Sequence, residues 1–342
     1  MNATEFKNVS KKVRIYGTLG PACCDERTLE EMIDRGMNGV RLNLSHTMLE
    51  DSSELIAAYR RACKSCSVEA NLLIDLQGPE LRVGVLEKPL VLAEGSLINA
   101  RELALPCVVL SELESLPFGS ELLLDDGKLL LSLEKPNLFR VVRGGLLESR
   151  KSAALVGATI NTPALTEADR SNIELARKFG VTAVMQPFVR SRADLLSVRS
   201  ALDAAGCESV RLLAKIENAQ GMAALDDIIP FCDEIVIARG DLGNSMNLWE
   251  LPAAQKRIAK TCREADRDFM VVTQMLDSMM HRAVPTRAEL SDIFNAVLDG
   301  ASSVMLTGET AAGEYPVIAI SYLANTVREA ERFTLKNDMN CR

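Results

Sequence analysis

The sequence predicts an α/β protein, a (β/α)8 TIM barrel with a small all-β domain inserted in one of its loops. Apolar runs of strand length alternate with helical patterns over most of the chain, which is typical of this barrel. The alternation stops between residues 85 and 161, where short strand-like runs follow one another. Polar side chains follow nearly every barrel strand, as they do at the functional end of such barrels.

Three strands precede the insertion. The predicted strands cover Val13 to Tyr16, Gly39 to Leu44 and Asn71 to Leu76. Between them, Asp25 is placed to cap a helix that ends near Arg35, and a second helix runs from about Glu50 to Cys66. This order of strand, helix and strand is that of parallel β/α units.

The inserted segment lacks a strong helical period. Its predicted strands cover Pro89 to Leu92, Cys107 to Leu110, Glu121 to Leu124, Lys128 to Leu133 and Leu138 to Val142. Asp125-Asp126-Gly127 between two of these runs is a hairpin signal. The sequence therefore predicts a barrel from residues 1–84 and 162–342, with an all-β domain at 85–161.

Five more strands follow the insertion. They are predicted at Thr182 to Gln186, Arg211 to Ile216, Glu234 to Ala238, Phe269 to Thr273 and Ser302 to Leu306. Thr166-Glu167-Ala168-Asp169 is a capping sequence for the helix before them, and a last helix covers about Val317 to Phe333. The total of eight strands fits a closed barrel. An open doubly wound sheet is the rival, but no glycine-rich dinucleotide loop follows the first strand in the expected form.

Composition limits the partners. A net charge of −8 argues against a nucleic-acid backbone as the main ligand, because that needs a clustered basic surface. No apolar run approaches the length that spans a membrane. The opening MNATEFKNVSKKV lacks the apolar core of a secretory signal, so we expect a cytoplasmic location.

The strand ends carry residue types suited to phosphoryl chemistry. Glu217 and Asp241 offer hard carboxylate oxygens that suit Mg2+ or Mn2+. Lys215 and Arg41 are cations able to neutralise a phosphoryl group during transfer. The remaining candidates are Asn43, Ser45 and Asp75 for a monovalent cation, and Gly240 and Thr273 for a substrate carboxylate.

Structural explanations exist for each residue taken alone. Lys215 and Glu217 would also form an ordinary salt bridge at a strand end, and Asp241 would also cap a helix. His46 fits a surface or core position. Polar residues also follow the first and last barrel strands, at Thr18 and at Thr307 and Glu309, so seven strand ends carry them. Only this whole set favours a catalytic site.

Several motifs resemble those of the pyruvate kinase family. The motif Lys215-Ile216-Glu217-Asn218 is similar to its active-site signature. The other matching segments, in chain order, are Gly17 to Pro21, Gly36 to Asn38, Arg41 to His46, Asp75 to Gly84, Ala238 to Gly243, Thr273 to Leu276, Pro285 to Glu289 and Gly308 to Ala311. Together these motifs extend over almost the whole chain.

The resemblance implies phosphoryl transfer between phosphoenolpyruvate and ADP, giving pyruvate and ATP. It assigns Lys215, Arg41 and Thr273 to catalysis, with Gly240 and Asp241 also at the substrate. The divalent ion, Mg2+ or Mn2+, would be held by Glu217 and Asp241. The implied K+ ligands are Asn43, Ser45, Asp75 and the Leu76 carbonyl, with Glu80 associated with K+ dependence. The implied nucleotide-site residues are Thr18, Pro21, His46, Arg82 and Lys151. The inserted β domain resembles the family's lid.

The chain departs from the family pattern in places. It ends near the last barrel helix, so we expect the C-terminal regulatory domain to be absent and leave open a homodimer through the barrel. Gln77 stands where the family usually has Lys, Ser152 replaces a usual Gly, the lid looks trimmed, and Asn244-Ser245-Met246 differs from the usual sequence after Asp241. Two alternatives therefore remain: a metal-dependent enolpyruvate lyase or aldolase, and a non-catalytic metabolite-sensing relative.

Overall fold

The fold is described by a computed structural model for residues 12–45, 47–113, 115–125, 127–155 and 162–340. The strands of these residues are β1 (Arg14–Thr18), β2 (Gly39–Asn43), β3 (Leu72–Asp75), β4 (Leu90–Leu92), β5 (Leu97–Asn99), β6 (Glu121–Leu124), β7 (Leu129–Lys135), β8 (Leu138–Arg143), β9 (Gly145–Leu147), β10 (Ala153–Leu155), β11 (Ala183–Gln186), β12 (Arg211–Ile216), β13 (Glu234–Ala238), β14 (Asp268–Val272) and β15 (Ser303–Met305). The α-helices are α1 (Glu26–Arg35), α2 (Ser53–Ser65), α3 (Cys107–Glu112), α4 (Glu167–Leu175), α5 (Arg192–Ala204), α6 (Ala219–Ala223), α7 (Leu225–Ile228), α8 (Arg239–Asn244), α9 (Leu251–Glu264), α10 (Arg287–Leu298), α11 (Gly308–Ala311) and α12 (Pro316–Asn340).

Eight parallel strands form a closed barrel in the order β1-β15-β14-β13-β12-β11-β3-β2. Three of them precede the insertion and five follow it, which confirms the predicted (β/α)8 barrel. Closure between β1 and β15, with Arg14 opposite Ser303, rules out the open doubly wound sheet.

Alternation along each strand divides the barrel core into two layers. One cluster fills the interior and includes Tyr16, Leu73, Leu213, Val236 and Met270. The larger cluster lies between the strands and the surrounding helices. Because side chains two apart share a strand face, a polar residue two positions after an interior residue points into the barrel mouth.

The predicted helix caps at Asp25 and Thr166 are confirmed. The Asp25 side chain accepts a hydrogen bond from the Thr28 amide at 2.9 Å at the start of α1. Thr166 caps α4 in a reciprocal capping box with Asp169. These bonds satisfy amides that would otherwise lack partners in the first helical turn.

The inserted segment forms two antiparallel sheets with their own core. The larger has the order β10-β6-β7-β8-β5, and the smaller pairs β4 with β9. A separate apolar cluster includes Leu122, Leu131 and Phe139, and Val83 also belongs to it. The predicted hairpin joins β6 to β7, with Asp125 and Gly127 in left-handed conformations. The domain boundaries at 84/85 and 161/162 stay a prediction, and residues 156–161 lie outside the described part.

One strand prediction in this segment is wrong. Cys107 to Leu110 belongs to α3 and not to a strand. Pro106 precedes the helix, and Val109 and Leu113 are buried one helical turn apart, so the apolar run has a helical contact pattern. Strands β5, β9 and β10 were not predicted from the sequence.

Among the helices of the described residues, none is long and apolar enough to cross a membrane.

Candidate active site

Four predicted side chains meet at the carboxyl end of the barrel. Arg41 donates to Asp75 through Nε at 2.8 Å, and its Nη2 lies 2.7 Å from the same oxygen. Lys215 Nζ lies 3.1 Å from Asp75 and 3.0 Å from Glu217. Asp75, Lys215 and Glu217 are buried or nearly so, and the set forms one connected ionic cluster.

Strand alternation explains why this cluster faces the barrel mouth. Asp75 follows the interior residue Leu73 by two positions on β3, and Lys215 follows Leu213 by two on β12. Each charged side chain therefore continues the interior face of its strand beyond the apolar core. The predicted spatial convergence of strand ends holds for these residues.

The charges of the cluster stabilise one another. Burial acts to raise the pKa of Asp75, but Lys215 and Arg41 outweigh it and hold that pKa below its usual value. Burial alone would lower the pKa of Lys215, yet the Asp75 and Glu217 carboxylates raise it. Lys215 is therefore a permanent cation at neutral pH and cannot serve as a general base there.

The surroundings of Glu217 disfavour the ionisation of its carboxyl group. Burial raises its pKa to about 7, and the neighbouring Asp241 carboxylate acts in the same direction. One carboxylate oxygen accepts from the Phe188 amide at 2.8 Å. The other faces Lys215 but receives no hydrogen bond of good geometry from the described residues. A buried carboxylate oxygen without a well-formed hydrogen bond is suited to bind a metal cation.

Glu217 and Asp241 line a cavity of about 300 Å3 between the barrel and the inserted sheets. Among the described residues, no cluster of three or more His, Cys, Asp or Glu side chains forms a self-contained metal site. Two carboxylates at one cavity wall still suit Mg2+, which is usually held by one or two carboxylates together with substrate oxygens and water.

The predicted monovalent-cation residues border a second, polar cavity of about 340 Å3, lined by Arg41, Asn43, Ser45, Asp75, Leu76, Gln77, Glu80, Arg82, Asp125, Lys151, Ser152, Pro187, Phe188, Lys215 and Asp241. The Asn43 side-chain oxygen accepts from the Ser45 amide at 3.2 Å. Both oxygens of Asp75 already contact cationic side chains. The residues predicted to hold K+ thus line the same cavity as Arg41 and Lys215.

Thr273 and Gly240 contact each other directly. The Gly240 amide donates to Thr273 Oγ1 at 2.9 Å, and that hydroxyl donates to the Val272 carbonyl at 2.6 Å. Asp241 follows Gly240 in α8. The predicted carboxylate-binding groups therefore lie together, but the Gly240 amide would have to exchange its present partner to bind a substrate.

The predicted nucleotide residues are only partly brought together. Arg82 and Lys151 line the polar cavity, where Arg82 pairs with Glu80 at 2.8 Å and Lys151 with Asp125 at 3.2 Å. Thr18 is buried beneath Arg41, which donates to its hydroxyl at 3.4 Å.

Pro21 is exposed at the start of a 3-10 turn and, like Thr18, does not line the polar cavity. His46 lies outside the described residues.

Some residues of the site were missed by the sequence analysis. Buried Asp169 accepts hydrogen bonds from the Gln77 and Gly78 amides at 2.7 and 3.0 Å, and so fixes the loop after β3. Phe188, in a left-handed conformation, supplies the amide that binds Glu217. Asp169 was recognised only as a capping residue, and nothing in the local pattern marks Phe188.

Gly20 provides a test of how the Thr18–Pro21 turn packs. A Cβ atom at Gly20 would lie 2.5 Å from the Ala311 carbonyl oxygen and 2.8 Å from its Cα. Gly20→Ala is therefore expected to lower the free energy of unfolding by about 1–3 kcal/mol, as measured by urea denaturation. Gly243→Ala is the control, because its Cβ would meet Leu251 at an ordinary 3.4 Å. Equal stability of the two variants would contradict the close approach.

The fold and site define a class: a (β/α)8-barrel protein with a cationic and acidic cluster at its mouth and an inserted β segment beside it. Comparison with known proteins gives the family. Residues 10–320 match the family model described as pyruvate kinase, barrel domain. The chain belongs to the pyruvate kinase family.

Individual relatives agree with this membership. The chain is 36% identical over 340 residues to a pyruvate kinase of Geobacillus stearothermophilus, covering 95% of the chain and 58% of that protein. It is 36% identical over 350 residues to human pyruvate kinase PKLR, covering 94% of the chain and 60% of the relative. A pyruvate kinase of Chlamydia pneumoniae is 33% identical over 333 residues, with 94% and 69% covered. The chain thus spans somewhat more than half the length of the first two relatives.

Proposed function

We propose that this chain transfers a phosphoryl group from phosphoenolpyruvate to ADP, giving pyruvate and ATP. The observation that carries the proposal is the ionic cluster at the barrel mouth, in which Arg41 and Lys215 contact Asp75 and Lys215 also contacts Glu217. Membership of the pyruvate kinase family supports this reaction over a lyase or a sensing role.

Metal ions belong to the proposal. Glu217 and Asp241 would hold Mg2+ or Mn2+, and Asn43, Ser45, Asp75 and the Leu76 carbonyl would hold K+. A divalent ion bound there supplies positive charge to phosphoryl and carboxylate oxygens. The Glu217 oxygen that faces Lys215 without a hydrogen bond of good geometry is buried beside the cavity, and this supports a role for it as a ligand of the divalent ion.

The side chains would share the work of the transfer. As the bond between phosphorus and the enol oxygen breaks and a new bond forms to a β-phosphate oxygen of ADP, Lys215 and Arg41 would neutralise charge on the phosphoryl oxygens. Thr273, with water, would deliver the proton that the enolate carbon takes up to give pyruvate. Gly240 and Thr273 would orient the substrate carboxylate.

The nucleotide would lie along the cationic wall of the polar cavity. We propose that its phosphates contact Arg82 and Lys151, which now pair with Glu80 and Asp125. Residues 85–161 would act as a lid whose closure excludes water and favours ADP over hydrolysis. Gln77, which lines this cavity, supplies no charge there. We place the reaction in the cytoplasm.

A coupled assay of the full chain tests the proposal. Pyruvate formation is expected only when phosphoenolpyruvate, ADP, Mg2+ and K+ are all present. Calorimetric titration with ADP separates the rivals, because a lyase or aldolase has no need of a Mg2+-dependent nucleotide site. Absence of both pyruvate formation and ADP binding in a folded chain would contradict the proposal.

A further inference from the structure

Two consecutive residues after β14 have an unusual backbone. Thr273 has φ +69° and Gln274 has φ +52°, both in the left-handed region. This region is disfavoured for residues other than glycine, by roughly 1–2 kcal/mol each, and β-branched threonine is rarely found there. Contacts with the surrounding structure must therefore hold Thr273 in place.

Arg239 supplies those contacts. Its Nε and Nη2 donate to the Thr273 carbonyl at 3.2 and 2.7 Å, so two N–H groups of one guanidinium bind the same peptide oxygen. The Arg239 side chain is only 10% exposed. Its Nη1 lies 2.5 Å from Asp292 on α10, which orients the guanidinium plane.

The same short segment also holds the Thr273 side chain. Gly240, the residue after Arg239, donates its amide to Thr273 Oγ1 at 2.9 Å. Asp241 comes next and lines both cavities. The Arg239 side chain binds the Thr273 carbonyl and the Gly240 amide binds the Thr273 hydroxyl. Together these contacts fix Thr273 relative to the start of α8.

We propose that Arg239, oriented by Asp292, is a positioning residue that holds the Thr273 hydroxyl beside the substrate. This inference rests on the proposed function, because it takes Thr273 to bind the carboxylate and relay the proton. Arg239 itself touches no reacting atom. Its effect passes through the Thr273 backbone, so losing it should matter only while the Thr273 hydroxyl is present.

A double-mutant cycle tests this dependence. Asp292→Asn removes the charge that orients Arg239, and it is expected to lower kcat about 10- to 100-fold with a smaller change in the KM for ADP. In a Thr273→Ala background the same substitution is expected to lower kcat by no more than about twofold, because coupled residues do not act additively. The rate at which the pyruvate methyl protons exchange in D2O, followed by NMR, is expected to fall in the Asp292→Asn variant and to change little when Asp292→Asn is added to Thr273→Ala.

A matched control comes from another shielded arginine–aspartate pair. Arg190 and Asp194 lie 2.8 Å apart with side chains 13% and 11% exposed. Asp194→Asn is expected to combine additively with Thr273→Ala. Arg239→Lys provides a second variant, because lysine keeps the positive charge but lacks the two N–H groups of the planar guanidinium that bind the Thr273 carbonyl.

The outcomes separate the two proposals. Additive losses for Asp292→Asn and Thr273→Ala in an active chain would overturn the positioning role and leave the reaction standing. A folded wild-type chain with neither phosphoryl transfer nor pyruvate proton exchange would contradict the proposed function and remove this inference with it.

Discussion

Lys215→Met is expected to lower turnover by about 10²–10³-fold or more, because it removes a fixed cation from the proposed site of phosphoryl transfer. Lys215 lies 3.1 Å from Asp75 and 3.0 Å from Glu217, and these carboxylates keep it protonated. Turnover is measured in the coupled assay at saturating phosphoenolpyruvate, ADP, Mg2+ and K+. Mn2+ binding, measured by titration, is expected to change less than turnover.

Loss of stability must be separated from loss of chemistry in this variant. Without Lys215, the buried carboxylates of Asp75 and Glu217 lose a shared partner, a kind of change that typically costs about 3–5 kcal/mol. Urea unfolding therefore accompanies the assay, at a temperature where the variant stays folded. Lys256→Met is the matched control, since Lys256 pairs with Asp299 at a position 56% exposed and is expected to change stability by less than about 1 kcal/mol. Retained turnover in folded Lys215→Met would remove Lys215 from the mechanism.

The barrel could be predicted from sequence because its signals are local and repeated. Each strand is a short apolar run, and each is followed by a helical pattern or a polar residue. The positions of Asp75 and Lys215 at strand ends then follow from the fold, since parallel strands in a barrel bring their carboxyl ends to one mouth. Their convergence within 3.3 Å agrees with that reasoning.

The missed features depend on contacts that no local pattern encodes. Arg239 and Asp292 are 53 residues apart, and only the tertiary fold brings them together. The left-handed backbone at Thr273 and Phe188 occurs in residues that rarely adopt it, so sequence propensity argues against it. In α3, an apolar run too short to show a period was assigned as a strand.

The opposite end of the barrel provides the second large expected effect, which is on stability. Glu234, at the start of β13, is completely buried. One of its oxygens accepts from Arg14 at 3.0 Å and from Arg211 at 2.8 Å, and the other accepts from the Ser303 and Ser302 hydroxyls. A single carboxylate thereby ties β13 to β1, β12 and β15 across the strand amino termini.

Glu234→Gln is expected to lower the free energy of unfolding by about 3 kcal/mol, measured by urea denaturation. The amide keeps the shape of the side chain but leaves two arginines without their shared counter-charge. Because both arginines are about one third exposed, water lessens the cost, and we expect the lower end of the range for a broken buried pair.

Glu31→Gln is the control variant that separates the effect of burial on stability from the effect of losing an ion pair. Glu31 contacts Arg27 at 3.1 Å with both side chains at least half exposed, so its replacement is expected to cost no more than about 0.5 kcal/mol. The folded fraction of Glu234→Gln should keep its turnover, because residues at the amino-terminal end of a barrel support stability while the carboxyl end carries the chemistry. A Glu234→Gln variant as stable as Glu31→Gln would show that the buried network contributes little, and a folded variant without turnover would show that the two ends of this barrel are coupled.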